Sequence, residues 1–122
     1  MTKKQKLGDC YEVAGRMAIL GLSKAPNGEK FLGNPMVVHG EVEGQGKIKG
    51  IRYGHAWIED YVYVYDFSNG RNLMLLKEVY YYLGKIIQDK PKLYKYTFRQ
   101  AREKMIETGE YGPWDLITES GL

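Results

Sequence analysis

The sequence predicts an α+β fold, and three observations carry that reading. An amphipathic helical run extends from Cys10 to about Gly21, a series of strand patterns with short connections fills Met36 to Phe67, and helical spacing returns in the last third. At 122 residues, 43% hydrophobic and 27% charged, the chain suits one domain spanning 1–122. A domain of that size buries about two-thirds of its unfolded surface without needing a disulfide or a structural metal. No repeat, linker or low-complexity segment interrupts it.

Asp9 and Glu12 have the spacing of a capping box, which starts the first helix at Cys10. Gly21 and the turn signal Pro26-Asn27-Gly28 stop it, and 22–35 reads as a loop. Met36 to Glu43 is a strand, Gly44-Gln45-Gly46 a turn, and Lys47 to Glu59 a long return arm in which Gly50 reads as a register-resetting bulge. A third strand covers Tyr61 to Phe67 and ends at Ser68-Asn69-Gly70. Connections this short make the sheet antiparallel. After Asn72, Leu75, Leu76, Val79, Tyr80 and Leu83 share a helical face, with Gly84 as the stop. Leu93 to Tyr96 is a short strand. Thr97, with Gln100 three residues on, caps a last helix that runs to Gly109. In the tail, Trp114 is expected to dock on the body as an anchor.

A net charge of +3 does not call for a nucleic-acid partner, although Lys85, Lys90, Lys92, Lys95, Arg99, Arg102 and Lys104 concentrate the excess. The basic start, Lys3-Lys4-Gln5-Lys6, has no apolar stretch behind it, and no window has the length of a membrane span. The expected location is the cytoplasm, where a free thiol persists.

The single cysteine is the most informative residue. At the first position of a helix, Cys10 faces free N–H groups and the positive end of the helix dipole, a setting that favours a thiolate. The competing reading makes it a small core residue beside Val13, Ala14, Met17 and Leu20. Two further residues bear on the choice. Closing a two-residue turn at Glu59-Asp60 sets His55 opposite Val64 and Asp66 opposite Tyr53, diagonal to His55 on the same face. Among Tyr53, Trp57, Val62 and Val64, a carboxylate needs a partner, and His55 is within reach. An imidazole held by a carboxylate at one nitrogen has its other nitrogen free to take a proton from a nucleophile. If the first helix packs on this sheet, Cys10, His55 and Asp66 form a triad. Each also has a plainer use: His55 as a satisfied strand residue, and Asp66 as the initiator of the turn at Ser68-Asn69-Gly70.

A thiol at a helix start, the strand Gly54-His55-Ala56-Trp57-Ile58-Glu59 and Asp66 on the next strand together resemble the transglutaminase-like branch of the papain-like cysteine proteases. His-Ala-Trp-x-Glu is the most specific part, and the resemblance covers about residues 8 to 70. It implies a papain-like α+β core, with Cys10 as nucleophile, His55 as general base and acid, and Asp66 as orienting residue. The implied reaction is acyl transfer on a peptide, protein or small amide substrate, with no cofactor and no metal. It also implies an oxyanion-hole glutamine shortly before the cysteine. Gln5 is the candidate, one residue closer than the family pattern has it. The remaining third is similar only in a general way to small phage-encoded proteins, for which the location would be the host cytoplasm.

Other classes of function fit some of the same residues. A non-catalytic papain-like module would bind a protein or small ligand with the triad inert. Nucleic-acid binding would use the basic residues with stacking tyrosines such as Tyr80, Tyr81 and Tyr82. A metal site from Cys10, His39 and His55 has no supporting ligand spacing, and His39 reads as a plain strand residue.

Overall fold

In a computed structural model, which describes residues 9–21, 24, 28 and 30–118, the N-terminal helix packs on a five-stranded antiparallel sheet that also carries a C-terminal helix. Helix α1 is Cys10–Leu20 and strand β1 Met36–Glu43. A 3-10 turn at Gly46–Ile48 leads to β2, Arg52–Asp60, and β3, Tyr63–Asp66. After a second 3-10 turn at Ser68–Gly70 come β4, Leu73–Leu76, and α2, Lys77–Leu83, then β5, Leu93–Thr97, and α3, Phe98–Thr108. The sheet order is β4-β3-β2-β1-β5.

Both faces of the sheet are covered, so its central strands are apolar on both sides. On one face Val37, Ala56, Ile58, Tyr65 and Tyr96 pack with Cys10, Ala14, Met17 and Ala18 of α1 and Ala101 of α3. On the other, Val38, Val42, Trp57, Val64 and Leu93 pack with Tyr80 and Tyr81 of α2. Burial on this scale, at about 25 cal/mol per Å² of apolar surface, is what holds the layers together.

The last helix is built as its sequence predicts. The Thr97 hydroxyl accepts from the Gln100 amide at 3.0 Å, the Gln100 side chain accepts from the Thr97 amide at 2.9 Å, and Gly109 closes the helix in the left-handed conformation. Trp114 docks as expected, its ring 4.7 Å from His39 and 4.9 Å from Tyr96.

Four local expectations are corrected. Asp9 precedes α1 but its side chain does not cap it: the backbone, at φ −82° and ψ 5°, is not the extended conformation that turns a carboxylate back onto the first amides. Instead Asp9 accepts from the Asn69 amide at 2.9 Å, and Glu12 pairs with Arg16 on the surface. Residues 47–51 are not strand, because the 3-10 turn is followed by Gly50 at φ +88°, a turn residue rather than a bulge. Leu75 and Leu76 lie in β4, where the open edge of β3 offers a backbone ladder, and the helix starts only at Lys77. The β2–β3 turn is Tyr61-Val62, with Ile58 opposite Tyr65 rather than Tyr61. Asp60 is kept in the strand by its buried carboxylate, which accepts from the Leu32 and Gly33 amides and ties down the loop after α1.

Candidate active site

Strand β2 sends His55, Trp57 and Glu59 to one face by its period of two. The corrected register is shifted by four residues, an even number, so Asp66 remains on that face and remains diagonal to His55. It now lies alongside Trp57 instead of Tyr53, the two positions that flank His55 along the strand. His55 Nε2 meets Asp66 Oδ2 at 2.9 Å.

Cys10 reaches the same histidine around the end of β3. The ladder between β2 and β3 ends at the Ile58–Tyr65 pair, and the chain turns away after Asp66. The first turn of α1 is tied to that turn by the Asp9–Asn69 bond. Cys10 then borders a crevice with Trp57, Asp66 and Ser68, close enough to His55 for its sulfur to favour the charged ring. With Nε2 occupied by Asp66, Nδ1 is the ring nitrogen left for the sulfur. The structure therefore brings together Cys10, His55 and Asp66, each less than 5% exposed.

Sequence reasoning missed the shell around Asp66. Its Oδ1 accepts from the Ser68 hydroxyl at 2.6 Å and the Ser68 amide at 3.1 Å, and its Oδ2 from the Tyr80 hydroxyl at 2.9 Å, with Arg71 Nη1 at 3.5 Å. Asp66 thus serves both readings of it, initiating the turn with one oxygen and holding His55 with the other. Burial opposes its charge, but the bonds from His55, Ser68 and Tyr80 outweigh burial and hold it well below the usual carboxylate range. Burial likewise opposes charge on His55, and Asp66 and Cys10 reverse that, raising it to about 9. Both neighbours thus favour the charged form of the ring.

The His-Ala-Trp-x-Glu stretch is one packed unit. The Trp57 indole donates to Glu59 at 2.9 Å, and its ring lies 5.9 Å from that of His55. Buried Glu59 also accepts from the Tyr81 hydroxyl and pairs with Lys95 at 2.9 Å.

Other candidates fall elsewhere. His39 pairs with Ala56, and its neighbour Gly40 with His55, so the two histidines face opposite sides of the sheet. Among the described residues no three His, Cys, Asp or Glu side chains are grouped to hold a metal ion. Gln5 lies outside the described residues. The basic segment is largely neutralised: Lys85, Lys92, Lys95 and Lys104 pair with Glu43, Glu41, Glu59 and Asp115, while Arg99 pairs with Glu103. Lys90 lies over the Tyr94 ring and Arg102 donates to the Ala18 carbonyl. No described helix is long and apolar enough to cross a membrane. No family model, curated protein or solved structure matches the chain.

Proposed function

We propose that the protein is a cysteine-dependent acyl hydrolase or transferase on a papain-like, transglutaminase-like core, acting on a peptide, protein or small amide. The observation that carries this reading is the chain of neighbouring groups from Cys10 to His55, and from His55 by a hydrogen bond to an Asp66 that Ser68 and Tyr80 hold in place. Such a chain fixes the tautomer and orientation of the imidazole and gives the sulfur's proton a place to reside.

The thiolate adds to the carbonyl carbon, forming a C–S bond, and the oxygen takes up the charge. The Cys10 amide, at the first helical position and without an intrahelical acceptor of its own, is a donor suited to that oxyanion. The C–N bond then breaks, and the leaving amine takes the proton from His55. Water or an acceptor amine attacks the thioester, returns a proton to His55 and releases the sulfur. Asp66 stays charged throughout.

Burial of the sulfur favours a second reading, a non-catalytic module in which the same three residues serve as a polar core network. Pairing across 85–104 weighs against nucleic acid. Iodoacetamide separates the first two. A working triad gives rapid alkylation of Cys10 near neutral pH and a fall of about a hundredfold or more in His55→Ala. Equal rates, or labelling only in denaturant, would refute catalysis.

A further inference from the structure

On the face of the sheet that carries His55 there is a cavity of about 280 Å³. It is just under the range of about 300–1,000 Å³ that encloses a whole small ligand, so it suits one large side chain. Val42, Ile48, Leu73 and Leu75 give it an apolar wall, and His55, Tyr53 and Arg71 stand together on its border. Glu43, also on the border, is paired with Lys85 at 3.3 Å.

Arg71 is the loosely held, solvent-facing cation on this border. Its partner Asp66 is already bonded to His55 at 2.9 Å and lies farther from Arg71, at 3.5 Å. Its side chain is 45% exposed, whereas that of Asp66 is fully buried. A guanidinium has five donors in a fixed fork, and part of that fork remains available to an anion. His55 links the cavity to the triad: it lines the cavity on one side and is bonded to Asp66 at 2.9 Å.

We propose that the cavity is the specificity pocket of the enzyme, holding a large aliphatic side chain of the substrate while Arg71 binds a carboxylate next to that side chain. The inference rests on the acyl-transfer reading and names its substrate class: amides whose amine portion carries an apolar side chain beside an anionic group. The apolar wall supplies affinity and Arg71 supplies orientation, turning the carbonyl toward Cys10.

The test is a titration of the wild-type protein with N-acetyl-leucine, N-acetyl-leucinamide and N-acetylglycine, following the methyl resonances of Val42, Leu73 and Leu75. N-acetyl-leucine is expected to bind about tenfold more tightly than either other compound. Arg71→Gln should abolish the preference for acid over amide and keep the preference for leucine over glycine. Acid and amide binding equally to the wild type would overturn the role of Arg71, and absence of a saturable shift up to about 10 mM would overturn the pocket. Binding needs no turnover, so a silent Cys10 cannot imitate that failure. Rapid iodoacetamide labelling with unmoved methyl signals would refute the pocket and leave the triad standing.

Discussion

Acidification from pH 7 to pH 5 should weaken the fold through His39, a residue with no part in the proposed chemistry. His39 is fully buried in β1 among Tyr11 of α1, Tyr96 of β5 and Trp114 of the tail, and neither ring nitrogen has a hydrogen-bond partner among the described residues. Burial drives its pKa down to about 3, and the attraction of Asp115 only partly opposes this, because that carboxylate is engaged by Tyr96 and Lys104. In the unfolded chain the ring titrates near 6.5. Between those values the unfolded chain binds a proton that the native protein does not, so stability falls as pH falls below 6.5. The slope is about 1.4 kcal/mol per pH unit, which gives a loss of about 2 kcal/mol by pH 5. His55 acts in the opposite sense. Its folded value, about 9, lies above its unfolded value, so its contribution is fully present below 6.5 and lost only as pH rises through 9. From pH 7 to 5 it adds a little under about 1 kcal/mol. The net loss is about 1 kcal/mol, a fall of about 3–5 °C in melting temperature for a domain of this size. Urea unfolding followed by tryptophan fluorescence at both pH values measures it, with His39→Phe as the comparison. Without the buried imidazole the sign reverses, and the variant should gain stability on acidification. A wild type indifferent to this change, or a His39→Phe protein that loses as much as wild type, would refute the reasoning.

Three further substitutions test the structural readings. Glu59→Ala should cost about 3–5 kcal/mol in urea unfolding, because it strands the Trp57 indole, the Tyr81 hydroxyl and Lys95 around an empty anion site; a loss below 1 kcal/mol would show that the motif glutamate does not anchor them. Asp9→Ala should cost about 1 kcal/mol by releasing the Asn69 amide, whereas Glu12→Ala should leave the unfolding midpoint unchanged; equal effects would restore the capping box.

Elements whose signals are local were legible in the sequence. Thr97 and Gln100 satisfy each other's backbone within one turn, so the start of α3 needs nothing from the rest of the chain. The β4 segment was illegible for the opposite reason. Over four residues, Leu73 to Leu76, a period of two cannot be told from a period of 3.6, and the deciding factor is the unpaired edge of β3. Asp9 failed for a related reason: its side chain had a tertiary partner sixty residues away, which no local spacing encodes. The Tyr61-Val62 turn was hidden because Tyr61 adopts φ 55°, a conformation the sequence assigns to glycine or asparagine. What holds it there is the second role of Asp60, whose carboxylate is committed to Leu32 and Gly33 and cannot sit in an exposed turn.

The wrong turn nevertheless left the site intact, and the reason lies in strand geometry. A side chain's face depends on register parity, so any even shift preserves it, and a shift of four carries Asp66 from one flank of His55 to the other. The pairing of acid and histidine is therefore robust to the kind of error a turn assignment makes, while the neighbours of each are not. Tyr80 and Arg71 reach Asp66 from α2 and from the turn before β4, both of which pack where they do only because β4 pairs with β3. The same parity explains why His-Ala-Trp-x-Glu is more informative than a lone histidine. Its alternate residues share one face, the indole bonds forward to the glutamate and packs back on the imidazole, and so a five-residue spacing specifies how the histidine is held. The thiol enters this unit only through tertiary packing of α1, which is why no local spacing in the sequence places Cys10 beside the histidine.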